Sequence, residues 1–190
     1  MTDQFFEDQV FESANFTGTP LPKGEYANCR FVQCDFSKAD LSFFEFSDCV
    51  FDHCNLSMVT MKNTACSNVR FNHCKMLGIN FENCSAFLFT VAFSACVLNF
   101  SSFYKRNFQK TSFADCTLHE ADFTETDLSQ ANFSNADLAG AKFENSNLEK
   151  ADFRSAMNYS INPEINRIRK AKYSLSGIAG LLDKYDIDIT

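Results

Sequence analysis

Nine cysteines and three histidines are the side chains in this chain with the chemistry for a soft-metal site or a nucleophilic centre. Their spacing points to neither. A structural zinc site draws on pairs of Cys or His a few residues apart, and no CxxC pair occurs. Instead Cys29 and Cys49, Cys34 with Cys54 and Cys74, and Cys96 with Cys116 recur at intervals of 20. His53 and His73 are also 20 apart, each just before a Cys. If the interval is one turn of a coil, the cysteines face inward as small, reduced core fillers while the histidines sit at outward corners, a poor start for shared metal ligation. No nucleophile–base arrangement or Gly-rich phosphate loop stands out. The expectation is a non-enzyme with no catalytic residues, no cofactor and no metal. The start, MTDQFFEDQVFE, lacks a basic region followed by an apolar stretch, so the reading is a cytoplasmic protein with reduced thiols.

Carboxylates are the other candidate chemistry. The net charge is -7, from 24 acids and 17 bases, which disfavours direct nucleic-acid binding and anionic membranes. The acids concentrate: residues 114–153 hold nine, Asp115, Glu120, Asp122, Glu125, Asp127, Asp137, Glu144, Glu149 and Asp152, against two bases. If the interval of 20 is one coil, forty residues make two, or roughly 10 Å of rod, a length over which duplex DNA carries about six charges. Asp122, Asp127, Asp137 and Asp152 stand just before a large apolar residue, where a short side chain can hydrogen-bond the corner backbone. Asp115, Glu120, Glu125, Glu144 and Glu149 have no such structural duty, and the nine are read as spread over all four faces.

What must position these residues is a repeat of period five, neither the 3.6 of a helix nor the 2 of a strand. Large apolar residues recur every five positions from Phe6 to Phe81, the register slips by two residues, and the pattern resumes from Leu88 to Phe153. These 30 units hold 17 of the 23 Phe. Two residues before most large positions sits a small one, such as Cys54, Ala131 or Ser146. Positions two apart in extended backbone point the same way, so large and small side chains both face inward.

Two segments depart from the pattern. Around the slip at 82–87, Phe87, Phe89, Phe100 and Tyr104 fall off the inward columns, and Arg106 occupies a small-residue slot, where burial demands a partner. With Lys105 they read as a contact surface, or as a strained seam with the rings folded over it. After Ala156 the C-terminal stretch leaves the repeat. Ser174 is placed to cap a short helix with Leu175, Ile178, Leu181, Leu182 and Tyr185 on one side, followed by an alternating DIDI strand. With Ile187 and Ile189 these form an apolar set expected at a symmetric dimer interface. The division is therefore 1–156 solenoid and 157–190 cap and dimerisation segment.

Stretches such as ANFSNADLAGAKF resemble the pentapeptide-repeat family, whose pattern is A(D/N)LXX. The resemblance implies an all-β, right-handed, four-sided β-helix of 20 residues per coil, about 7.5 coils or roughly 36 Å long at the spacing of neighbouring strands. Within that family, LSMVTMKNTACSNVRFNHCKMLGINFENCS, the length and the tail are similar to the Qnr and MfpA quinolone-resistance group. That likeness implies a homodimer joined at its C-terminal ends, presenting a DNA-like rod to DNA gyrase or topoisomerase IV. The alternative is a scaffold rod that meets an unrelated protein through the Phe87 to Arg106 seam.

Overall fold

The computed structural model describes residues 4–188. Each five-residue unit makes one side of a four-sided coil, and each coil stacks on the next with parallel pairing. The first side forms a four-stranded sheet from Gln4–Glu7, Gly24–Ala27, Glu45–Ser47 and Ala65–Ser67. The second forms a six-stranded sheet from Val10–Glu12, Arg30–Val32, Val50–Asp52, Val69–Asn72, Val91–Ser94 and Phe113–Ala114. The third and fourth sides are tied by single bridges such as Asp35↔Asn55 and Ser102↔Asp122. The expected four-sided parallel solenoid is the fold.

The core is a set of ring columns. On the second side Phe11, Phe31, Phe51, Phe71, Phe93, Phe113, Phe133, Phe153 and Tyr173 stack in one unbroken file, with neighbouring centroids 4.6 to 5.4 Å apart. The file crosses the slip intact, because Phe71 pairs with Phe93 across 22 residues and the interval of 20 then returns. The ladder also reads through residue 156: Arg167 bridges Asn147 and Lys172 bridges Asp152. The interior there is completed by Ile168, packed against the core, and Tyr173, with Asn166 buried in a small slot.

Size alone does not explain the small slot. Its side chain donates a hydrogen bond to the carbonyl of the large residue one coil back: Cys54 Sγ to Phe31 O (3.3 Å), Thr64 Oγ1 to Leu41 O (2.7 Å), Ser146 Oγ to Phe123 O (2.7 Å) and Asn166 Nδ2 to Phe143 O (2.7 Å). The slot therefore selects small donors, and Ala where no donor is used. All nine cysteines are free and buried. Burial pushes the thiols of Cys29, Cys34, Cys49, Cys66 and Cys84 up, Cys49 and Cys84 to about 12, so they remain protonated at neutral pH, and Cys29, Cys34 and Cys49 stay available as donors. Ellman titration should find no reactive thiol in the native protein and nine after denaturation without reductant; seven or fewer would indicate disulfides.

The C-terminal segment differs from expectation. Ser174 does cap it, accepting from Gly177 N at 3.0 Å, but the chain then makes two 3-10 turns, Ile178–Leu181 and Asp183–Tyr185, in place of an α-helix. Gly177 and Gly180 lie so close to Tyr159 that a Cβ at either position would collide with it. Residues with side chains are excluded there, and two Gly in ten residues disfavour an α-helix. Residues 186–188 form no strand, and Ile189 lies outside the described residues.

Candidate functional site

The twenty-residue interval assigns every surface residue to a side of the rod. Most corners turn through a left-handed residue, and Asp115, Glu120 and Glu125 occupy such corners. Their amides donate to Ser134 O, Ala139 O and Glu144 O of the next coil at 2.7 to 2.9 Å. Backbone position is thus fixed while the carboxylates point away from the core. The four aspartates before large residues do what their spacing predicts: Asp122, Asp127, Asp137 and Asp152 each accept from the amide two residues on, at 2.9 to 3.2 Å.

The acids are not spread evenly. Asp137 lies on the third side, Asp122 on the fourth, and Asp115, Glu120, Glu125 and Glu144 on the corners that flank these sides. Six of the nine therefore share one half of the circumference. The opposite half carries Asp127, Glu149 and Asp152 amid Lys110, Lys150, Lys170, Arg167, Arg169 and Lys172. Asp152 is held by Arg154 (2.7 Å) and Lys172 (3.7 Å), and the Arg154 hydrogen bond lowers its pKa against a smaller opposing effect of burial. For Asp137, burial acts upward but hydrogen bonds from Asn158, His119 and the Ala139 amide together outweigh it, leaving the pKa lowered. Glu120 folds over Gly140, which is left-handed (φ +70°) and has no room for a Cβ beneath that carboxylate. The signal for this segregation is in the sequence: residue numbers taken modulo 20 sort the acids by side.

At the slip the structure separates residues that the sequence groups together. Leu88, placed on an inward column by spacing, is 63% exposed, and Phe89 turns in to pack against the core. The two extra residues are accommodated in an outward bulge on the first side, where no β-bridge includes 85–89 among the described residues and the Ser85 amide, donating to Thr64 O at 2.9 Å, is the backbone link to the preceding coil. Arg106 is half-buried and committed to the bulge: Nη1 donates to Cys84 O (3.0 Å), Nη2 donates to Ser85 O (2.8 Å), and the guanidinium lies 4.7 Å from the centre of the Phe89 ring. It does the work of a small-slot donor at longer reach. Lys105 is exposed between Tyr104, 4.8 Å from its ring centre, and Glu125 (3.5 Å). Phe87 is 75% exposed in the bulge, while Phe100, 66% exposed, sits at the corner of Met58 and Glu120.

The remaining candidates resolve simply. His53 and His73 stack at an exposed corner, centroids 4.6 Å apart, with His53 Nδ1 2.9 Å from Asp52. No group of three His, Cys, Asp or Glu able to hold a metal occurs among the described residues. At the C-terminal end Leu175, Ile178, Tyr185 and Ile187 are exposed together with Met157 and Ile165, whereas Leu181 packs on the core and Leu182 is half-buried. No helix among the described residues is long and apolar enough to cross a membrane.

The family described as "Pentapeptide repeats (8 copies)" matches residues 29–64, and that described as "Pentapeptide repeat region" matches residues 85–157. Together they take in more than half of the chain. Among solved structures, full-length QnrB1, described as a plasmid-mediated fluoroquinolone resistance protein, is similar at 18% identity and a TM-score of 0.52, over 97% of this chain and 100% of that one. A trypsin-treated QnrB1 variant gives 18% and 0.51, over 98% and 92%. HetL from the cyanobacterium Nostoc sp. strain PCC 7120, described as involved in heterocyst differentiation regulation, gives 14% and 0.37, over 90% and 87%. No curated protein sequence matches significantly. With large residues facing inward every fifth position, four sides per coil and these family matches over both halves of the rod, the chain belongs to the pentapeptide-repeat family.

Proposed function

We propose that this protein is a DNA mimic that binds a bacterial type II topoisomerase, DNA gyrase or topoisomerase IV, at its DNA-binding surface, and thereby protects the enzyme from quinolones. The observation that carries the reading is the collection of six carboxylates on one half of the rod within two coils. Lys142 is the one base of that segment on the same half. About six charges over roughly 10 Å is the density of duplex DNA. The likeness in fold to QnrB1 supports the choice of partner.

A homodimer joined at the C-terminal ends completes the reading. Leu175, Ile178, Tyr185 and Ile187 supply an exposed apolar group there, and a symmetric contact buries it without propagating into fibres. Pairing at that end also brings two acidic segments near one another. Sedimentation showing a monomer at micromolar concentration would count against the dimer.

Gyrase affinity is the test of the mimic. Mimicry by charge must weaken with salt. Changing Glu120, Glu125 and Glu144 together to Gln should cost about tenfold in Kd at low salt, near 1.4 kcal/mol. Glu149→Gln, on the basic half, should leave affinity within about twofold. A supercoiling assay with and without a fluoroquinolone then separates inhibition from protection. Binding unchanged by the triple substitution, or no binding by the wild type, would shift the reading to a scaffold rod that engages another protein through the exposed Phe87 and Leu88.

A further inference from the structure

Where the first side lacks its rung, a cavity of about 350 Å³ opens, with Phe89, Thr90, Lys105, Arg106, Asn107 and Gln109 in its wall. No acid lines it. In a chain with seven more acids than bases, this is a local inversion of charge. Arg106 joins no ion pair among the described residues. Two carbonyl dipoles and an aromatic face meet its charge, and its Nε–H is buried with no acceptor. A half-buried guanidinium without a counter-ion bears its desolvation cost without the matching Coulombic gain. Lys105, in contrast, already shares its charge with Glu125. The positive charge left over in the cavity is therefore close to one.

We propose that this cavity binds a carboxylate. One negative charge on a planar oxyanion matches one uncompensated guanidinium, whereas a phosphate dianion brings a second charge that nothing in the wall balances. The volume lies at the small end of ligand sites and suits a group of side-chain size, with Phe89 and Val91 as the apolar wall for its methylenes. Two sources share this chemistry: a free small carboxylic acid, or a Glu side chain on a partner protein's loop. The inference is independent of the topoisomerase reading, since these groups lie on a different part of the rod from most of the acids.

The test follows the Arg106 Nε–H and Phe89 ring resonances of the full chain by NMR during titration with sodium acetate, sodium glutarate or a capped Gly-Glu-Gly peptide. Sodium chloride of equal ionic strength is the control. Saturable shifts with Kd in the millimolar range are expected with the acids and not with chloride. A capped peptide that binds as tightly as the free acids or more tightly assigns the site to a partner's side chain; one that binds more weakly assigns it to a free acid. Arg106→Lys, which keeps one charge in the wall, should weaken binding several-fold, Arg106→Gln should abolish it, and Lys105→Met, whose charge Glu125 already balances, should leave it within about twofold. The proposal is overturned by failure of every acid to saturate, by inorganic phosphate binding equally well, or by Phe89 ring shifts that Arg106→Gln leaves unmoved.

Discussion

Phe113→Asp is expected to leave no folded protein. The ring is fully buried, stacked between Phe93 (5.3 Å) and Phe133 (5.0 Å), with Phe103 and Phe123 edge-on. A carboxylate there meets aromatic faces and no cation. An uncompensated buried charge costs several kcal/mol, and deleting a large ring from a packed core costs about 3 to 5 more, against a total stability of about 5 to 15. Because each coil is held by its neighbours, the loss is not confined to one turn. Leu88→Asp provides the contrast. The five-residue spacing puts Leu88 in the same inward class, but the side chain lies outside, so stability should change by less than about 0.5 kcal/mol. Far-UV circular dichroism and urea midpoints of the two variants decide the matter. A folded Phe113→Asp, or an unfolded Leu88→Asp, would contradict the packing described above.

Arg106→Met is expected to open the bulge while the coils on either side survive. The variant keeps an apolar stem over Phe89 and removes both hydrogen bonds to the Cys84 and Ser85 carbonyls. Bonds to a charged donor are each worth about 1.5 to 3 kcal/mol when buried, and partial exposure discounts that, leaving about 2 to 4 for the pair. Apart from the Phe89 ring on the core and the Ser85 amide donating to Thr64 O, few contacts pin residues 85–89, since Phe87 and Leu88 are exposed and no β-bridge crosses there. Limited proteolysis should cut the variant between Ser85 and Thr90 under conditions that spare the wild type. Equal resistance and an equal urea midpoint would mean that the bulge is held by something other than Arg106.

The fold was legible because its signal is redundant: one inward Phe or Leu in five, repeated over 150 residues, survives individual exceptions. What failed to show is what depends on a single unit. Leu88 and Phe89 are both large and apolar, and which of them turns in depends on where two extra residues are taken up, a matter of backbone geometry. Residues 157–173 lack the spacing of earlier units around Pro163, so the last coil becomes visible only through its bridges. The small slot looked like a volume constraint because Cys, Ala, Ser and Thr are all small; that three of the four can donate a hydrogen bond was an unused clue. The acids could have been sorted by side from the interval of 20, whereas the Arg106 contacts with two bulge carbonyls had no counterpart in the repeat.

The interval of 20 also constrains how such a chain can change in length. Duplicating a whole coil inserts one more layer and leaves every later residue on its original side, so the acidic half stays continuous. An insertion of five residues also supplies an inward Phe or Leu, but it rotates everything downstream by a quarter turn and sets Leu128 on Phe113 where the file has Phe133. Applied before residue 114, it would swing the carboxylates of Asp115 to Glu144 toward the side now occupied by the seam. The two residues at 82–87 are a third case: they bulge out on one side and rotate nothing, as the unbroken file from Phe71 to Phe93 records. Gene-level events that all leave an inward Phe or Leu in every unit therefore differ in what the surface presents.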